Sequence, residues 1–534
     1  MGLLDTVNIS LEQEIKNNIK RLYLQDNIPW IIGYSGGKDS TCTTQIVIDS
    51  LIDLQEEKKP LNKKVYIISS DTMVETPMII NTIEDTINRL NRLAKKLSLP
   101  IQAQIVRPLM SRGFWANLIG RGYPCPNQTF RWCTDRMKIE PSNQFTQSLI
   151  QQYGEVIMVL GVREGESNSR DRVLENHTID GKDFMRHTTQ ANSYVFAPIR
   201  RFTHDDVWNY LLTHKSPWGS DNQALFRLYQ DSLTGEECPI MMSEEDKKNT
   251  TCGNSRFGCW VCTVVNEDKS LTGFIKSGVN WLKPLLEYRN WLVSIRDDED
   301  KRMKRRMNGT LYFSKIAIEG DMLVIPAKRF RKKIIIQNTE RGWFDNSDRE
   351  WQVFLSENSE QDARDYIYKN NIDLTSGENP RIVIKKMDGE FYQLGLGPFT
   401  LEARKEMLHR LLETQRDLTV EYELIKKEEL QEIQKQWYTS GDLSNSVASI
   451  YWDVFEKELE LETDDIKAFS DEDYLMLGKL CNDCGFSYEL FNTLINIEKE
   501  FSGYSNRLAA QKAIRESLTQ EFLIVQEEGA GDEN

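Results

Sequence analysis

The six residues Ser35-Gly36-Gly37-Lys38-Asp39-Ser40 follow an apolar run, Trp30 to Tyr34, and precede a helix-like stretch, Thr41 to Leu54. Glycines where a strand turns into a helix let the backbone approach an anion, and the first N–H groups and the helix dipole attract one. Ser35 and Ser40 add hydroxyls, Lys38 a cation and Asp39 a carboxylate. From average residue frequencies such a loop arises by chance in a chain of this length on the order of once in a thousand. A nucleotide phosphate is therefore the expected ligand. The Walker spacing is absent, because position 32 is Ile and not Gly.

A second group consists of thiols. Cys252, Cys259 and Cys262 lie in a short turn-rich stretch in which Gly253 and Gly258 let the chain bend around a metal. Iron–sulfur clusters and structural zinc both commonly take four ligands, so three thiolates call for a fourth. Cys133, in a basic segment with Arg131, Arg136 and Lys138, is the chosen fourth; Cys125, between Pro124 and Pro126, and Cys238, before Pro239, compete with it. Spacing alone leaves zinc open. Cys481 and Cys484 read as ordinary thiols on a helix, and Cys42 as a buried one.

Two further strand ends carry polar residues. Asp71-Thr72 and Glu75-Thr76 follow the apolar run Val65 to Ser69, and in an open α/β sheet ligands sit at the carboxyl ends of strands. Gly161-Val162-Arg163-Glu164-Gly165-Glu166-Ser167 follows Val156 to Leu160, with Arg170 and Arg172 close behind. Arginines with a hydroxyl suit bidentate phosphate recognition; a solvated charged loop is the alternative. Asp206-Val207-Trp208 is expected to cap and pack a helix, and His204 to be structural.

The elements that must position these groups follow from periodicity. Leu11, Ile15, Ile19 and Leu22 mark a helix up to about Asp26. The apolar runs Trp30 to Tyr34, Val65 to Ser69, Ile101 to Val106 and Val156 to Leu160 alternate with amphipathic stretches, the rhythm of a parallel sheet covered by helices. Met322 to Ile325, Ile334 to Ile336 and Ile382 to Ile384 read as strands, with a hairpin turn at Asp388-Gly389. After Gly397-Pro398 the helical pattern returns, with Thr400 placed to cap it. The fold class is α/β, in four segments: residues 1–235 a nucleotide-binding domain, 236–295 a cysteine-rich insert, 296–398 a basic β-rich region, and 399–534 an acidic helical domain ending in a disordered Glu527 to Asn534.

At 534 residues the chain exceeds one core and should hold roughly three domains. Hydrophobic content of 39% with no run of about 18 apolar residues excludes an integral membrane protein of the helical kind. Met1 to Thr6 lacks the basic flank and apolar stretch of a signal peptide, so a cytoplasmic, reducing setting is expected, with cysteines as thiols or metal ligands. A net charge of −15 argues against gripping nucleic acid over the whole surface. Two basic runs, Lys301-Arg302 with Lys304-Arg305-Arg306, and Lys328-Arg329 with Arg331-Lys332-Lys333, form the expected phosphate-contacting surface.

Together, Ser35 to Ser40, Asp71-Thr72, Cys133-Thr134-Asp135-Arg136-Met137-Lys138, Gly161-x-Arg163 and Thr203-His204-Asp205-Asp206-Val207-Trp208 resemble the PAPS reductase branch of the PP-loop ATP pyrophosphatases. The chain has neither the C-terminal Glu-Cys-Gly of the thioredoxin-dependent reductases nor an adjacent Cys pair at Cys133, which disfavours substrate reduction. With Cys252, Cys259, Cys262 and Leu396-Gly397-Pro398-Phe399-Thr400-Leu401-Glu402-Ala403-Arg404, it resembles the DndC family of the DNA phosphorothioation (Dnd) system, over about residues 30–290 and 395–412. The resemblance implies a Rossmann-like PP-loop fold, ATP and Mg2+ as ligands, and a 4Fe-4S cluster on Cys133, Cys252, Cys259 and Cys262. It implies that Lys38, Asp39 and Arg163 are catalytic. Ser35, Gly36, Gly37, Ser40, Asp71, Thr72, Gly161, Ser167 and Arg170 would bind the nucleotide. DNA, a cysteine desulfurase as sulfur donor and other Dnd modification subunits are the implied partners. A PP-loop thiolase of tRNA or a nucleotide, a PAPS reductase-like enzyme, and a nucleotide-gated DNA-binding subunit are the rival readings.

Overall fold

The computed structural model describes residues 3–165, 184–186, 192–231, 258–326, 333–370, 372–375, 380–439, 442, 445–461, 471–484 and 508–518, with scattered positions between 487 and 497. Contacts divide the chain into two compact units. Met1–Phe114 with Pro126–Glu287 form the first; Trp115–Cys125 with Tyr288–Asn534 form the second.

In the first unit, the apolar runs become a six-stranded sheet. Its strands are β1 (Trp30–Gly33), β2 (Val65–Ser70), β3 (Ile101–Val106), β4 (Val156–Val159), β5 (Met185–Arg186) and β6 (Ser193–Phe196). The order is β3-β2-β1-β4-β6-β5, parallel except for the β5–β6 pair. The order reverses on either side of β1, so the crevice outside its carboxyl end is the topological switch point where such sheets bind ligands. Helices α1 (Leu3–Gln25), α2 (Lys38–Glu56) and α3 (Pro77–Leu97) cover the sheet. α3 buries Ile79, Ile83, Ile87, Leu90 and Ala94 at helical spacing and ends in Lys95 and Lys96, whose charge suits a helix C-terminus. The main core contains Trp30, Ile32, Ile46, Leu51, Ile67 and Ile83; each fully buried aliphatic side chain contributes about 1.5–3 kcal/mol.

The second unit carries an eight-stranded sheet and the C-terminal helices. The strands are β7 (Phe313–Lys315), β8 (Ala317–Glu319), β9 (Met322–Ile325), β10 (Ile334–Thr339), β11 (Gly342–Asp345), β12 (Glu350–Phe354), β13 (Ile382–Lys385) and β14 (Phe391–Leu394). They lie in the order β7-β14-β13-β12-β11-β10-β9-β8. Among the described strands of this sheet only β12 and β13 pair in parallel, and the helix Ser359–Lys369 makes the crossover that a parallel pair requires. Gly389, at φ +81°, turns the chain between β13 and β14 as Asp388-Gly389 predicts. Thr400 caps the helix Leu401–Arg416, its hydroxyl accepting from Ala403 N–H.

Three of the five charges of the first basic run do not lie on a solvated face, which corrects the expected phosphate-contacting surface at those positions. Arg302, Lys304 and Arg305 are buried at 4%, 3% and 7% exposure. Arg302 donates to the carbonyls of Gly397 and Arg296 and lies 4.8 Å from the Phe399 ring. A Cβ at Gly397 would stand 1.6 Å from the Arg305 carbonyl oxygen, so only glycine fits there. The segment Leu396 to Thr400 is thus a packing knot around buried arginine. Of the second run only Lys333 lies within the described residues, paired with Glu319 at 2.7 Å.

Candidate functional site

β1 delivers Ser35 to Ser40 to the switch point, and the chain enters α2 at Lys38. Gly36 adopts φ +73°, the left-handed region that costs a glycine nothing. The loop is closed by its own hydroxyls. Ser40 Oγ donates to the Gly37 carbonyl at 2.9 Å and accepts from Ser35 N–H at 3.2 Å, and the Ser35 and Ser40 hydroxyls are 3.1 Å apart. Gly37 caps α2 without a side-chain hydrogen bond, so no side chain of the cap competes for the first-turn N–H groups.

Three charges surround the loop. Lys38 Nζ is 2.7 Å from one carboxylate oxygen of Asp39, and Arg163 Nε is 2.6 Å from the other. Burial raises the Asp39 carboxyl, but Lys38 and Arg163 outweigh it and hold the group below its ordinary value. All three side chains are mostly buried. Two cations against one carboxylate leave a net positive charge at a helix N-terminus, which is what a polyphosphate needs. Arg163 is placed by Gly161, where a Cβ would stand 2.8 Å from the Asp39 carbonyl oxygen. The end of β4 therefore packs directly on the first turn of α2.

At the end of β2, Asp71 accepts from Met73 N–H at 2.7 Å and from Arg107 Nε at 2.8 Å. Thr72 Oγ1 lies 3.1 Å from Glu75 Oε1 and 3.2 Å from Cys259 Sγ. The cysteine segment is sewn onto this strand end. Glu75 and Cys259 form an antiparallel bridge, Trp260 N–H donates to the Val74 carbonyl, and Thr76 donates from both N–H and hydroxyl to the Gly258 carbonyl. Lys138 Nζ reaches Glu75 at 3.1 Å. Burial lowers the Lys138 ammonium, but Cys259, Glu75 and Cys133 around it raise it above its ordinary value. Burial raises the Cys133 thiol, and Cys262 beside it raises it further. Burial and Glu75 do the same to Cys259. Cys133 lies in a helical turn, Trp132–Thr134, that runs through a π-turn, Asp135–Ile139, into the helix Glu140–Tyr153.

The structure therefore gathers Ser35, Gly36, Gly37, Lys38, Asp39, Ser40, Gly161 and Arg163 at one place, and Asp71 and Thr72 with Cys259 at the neighbouring strand end. Cys125 is in the second unit, fully buried, its thiol donating to the Leu292 carbonyl and pushed up by burial to about 12. Cys238, Cys252, Ser167, Arg170 and Arg172 lie outside the described residues. Among the described residues no three or more Cys, His, Asp or Glu converge on a single ion. Cys133, Cys259 and Cys262 are free thiols, the ligand type that iron–sulfur clusters take. Asp206 closes a capping box with Thr203, and Val207 and Trp208 are buried, so that motif builds a helix. His204, in its first turn, is lowered by burial and by Lys38 and Arg163.

Sequence reasoning gave no role to Arg107 or Tyr229, and named Lys138 only as part of the basic segment around Cys133. Arg107 directly follows β3, so the rule about carboxyl ends of strands could have found it. Tyr229 accepts from Lys38 N–H at 3.1 Å across 191 residues of chain, a pairing without a local signal.

A sequence profile for the phosphoadenosine phosphosulfate reductase domain matches residues 29–264. An uncharacterised protein of Methanocaldococcus jannaschii is 25% identical over 230 residues, which are 43% of this chain and 40% of that protein. The chain thus matches less than half the length of that relative. Among solved structures, a PAPS reductase of Candida auris in a phosphate complex shares 11% identity over 43% of this chain and 93% of its own, with a TM-score of 0.26. The tRNA thiolase NcsA of Methanococcus maripaludis, with its 4Fe-4S cluster, shares 13% over 42% and 73%, with a TM-score of 0.24. Over residues 29–264 the chain is similar to the phosphoadenosine phosphosulfate reductase domain, a nucleotide-using domain of the PP-loop type.

Proposed function

We propose that this chain is an ATP pyrophosphatase and sulfurtransferase that places sulfur in the DNA backbone. The observation that carries the reading is the cysteine segment bridged to Glu75 at the end of β2, the strand next to the one that delivers the cation-flanked phosphate loop. A phosphate-activating group and a sulfur-handling group are the two halves of such a reaction.

ATP would bind with its outer phosphates on Ser35 to Ser40. Mg2+ would come with the triphosphate and take Asp39 as its protein carboxylate. Attack by an oxygen of a DNA phosphate on the α-phosphorus expels pyrophosphate, whose growing charge Lys38 and Arg163 stabilise. The DNA phosphorus then bears AMP as a leaving group, and attack by a sulfur nucleophile expels AMP together with the original oxygen. Covalent activation replaces one very slow displacement by two easier ones. Cys133, Cys252, Cys259 and Cys262 would hold a 4Fe-4S cluster, which would supply a place for sulfur to be handed on or retained. Lys138, held by Glu75, keeps a positive charge among these thiols. A cysteine desulfurase would supply the sulfur and other Dnd subunits would complete the complex in the cytoplasm; among the described residues no helix is long and apolar enough to cross a membrane.

The test combines two measurements. Purified protein with its partners should release pyrophosphate from ATP, and release of ADP alone would overturn the reading. Mass spectrometry of digested DNA and tRNA from cells carrying Cys262→Ser should show sulfur lost from DNA. Loss from tRNA instead would make the enzyme a tRNA thiolase.

A further inference from the structure

The phosphate loop is occupied by the protein itself. Tyr229, on the helix Asn222–Asp231, places its phenol oxygen 3.1 Å from Lys38 N, a first-turn donor of α2. The same oxygen stands 3.2 Å from where a Cβ of Gly37 would be. One first-turn N–H and the open space over Gly37, two of the things the loop offers an anion, are thus taken by one hydroxyl. The ring is held firmly. It meets the buried Trp208 edge-on at 5.2 Å between centroids. At the other end of its helix, Asn222 is buried and donates to Gln45 Oε1 on α2 and to the Leu211 and His214 carbonyls. The helix is therefore fixed to the element whose N-terminus Tyr229 covers.

We propose that Tyr229 is a plug in the phosphate site, which a nucleotide must displace before the loop can close on its outer phosphates. This rests on the reading of Ser35 to Ser40 as a nucleotide loop. A ligand gains the Lys38 N–H only by breaking the bond to the phenol, so the apparent affinity is lowered by the fraction of molecules in which the plug is seated. The penalty applies to ligands that put an oxyanion in the loop. Adenosine, which lacks one, does not pass the plug.

Tyr229→Phe removes the oxygen and keeps the ring on Trp208. In the full-length protein it should tighten binding of ATP and of inorganic pyrophosphate by about two- to tenfold, the worth of one neutral hydrogen bond, and leave adenosine affinity unchanged. Hydrogen–deuterium exchange of the peptide spanning the loop should rise in the nucleotide-free variant and fall to the wild-type level with pyrophosphate bound. Equal ATP affinity in both proteins would overturn the plug while leaving the nucleotide reading intact. Weaker ATP binding in the variant would also overturn it and make the phenol a phosphate donor; tighter adenosine binding would make the effect a general loosening of the fold. Failure of either protein to bind ATP or pyrophosphate would overturn the nucleotide reading itself, and the plug with it.

Discussion

Asp39 has a cation on each carboxylate oxygen, and this pairing sets what the loop can do before any ligand arrives. Asp39→Asn keeps the shape but leaves Lys38 and Arg163 without their counter-charge. Pyrophosphate release should fall by at least about a hundredfold, the cost of removing one preorganised group from a transition state. The same substitution has a signature in acid. Because Lys38 and Arg163 hold the folded-state value below the ordinary 3.8, Asp39 adds stability above that pH and loses it as pH falls through the lowered value. The melting temperature of the variant should therefore decline less steeply than wild type below about pH 4; parallel curves would show that the pair adds nothing to the fold. At this scale the sequence was informative where a motif is contiguous. Gly36, Gly37 and Lys38 could be named because spacing is local. Arg163 could be named too, but not the pairings that decide the chemistry: Arg163 reaches Asp39 across 124 residues, and Lys138 meets Glu75 only after the sheet has formed.

Among elements, the first unit closes where α1 and α2 meet the helix His204–Thr213. Tyr210 donates to Asp49 at 2.7 Å, and His214, just past the helix, faces Glu12 at 3.2 Å. The hydrogen bond that His214 donates to Glu12 outweighs burial and raises His214 above its ordinary 6.5. A raised base stabilises fully below its unfolded value and loses that contribution as pH rises through the folded one. Glu12→Gln should flatten the fall in melting temperature between about pH 6 and 8; an unchanged slope would exclude this pair as its source. Strands were easy to read because Val65 to Ser69 or Ile101 to Val106 are apolar runs bounded by polar turns. The run at Lys301 misled for the opposite reason, since hydropathy assigns arginine to water and cannot see carbonyls supplied by Arg296 and Gly397. Arg302→Ala should lower unfolding free energy by about 3 kcal/mol, from charged hydrogen bonds left unmade. It should not alter the salt dependence of any DNA binding, as measured by filter retention at several ionic strengths.

Over the whole molecule, composition suggested four consecutive segments, whereas contacts draw a boundary that the chain crosses more than once. Residues Trp115–Cys125 lie in sequence between parts of the first unit but pack in the second, where Trp115, Leu118 and Ile119 are fully buried. Trp115 donates to the Leu424 carbonyl, Trp437 to the Ile119 carbonyl and Arg404 to the Gly120 carbonyl. Nothing in a local window reveals such a return, because the hydrophobic pattern of this segment is equally suited to either core. A chain ended after Glu287 should consequently be insoluble or bind the dye ANS strongly, and co-expression of residues 288–534 should cure both; a soluble fragment without dye binding would contradict the assignment. The same crossing matters while the protein is being made. The Leu424 carbonyl is translated 309 residues after Trp115, which at about 5–20 residues per second is about 15–60 seconds. For that interval a tryptophan-containing apolar stretch waits outside the ribosome without its cover, so a cell short of chaperones should lose this protein at the nascent stage, before its first sheet can be of use.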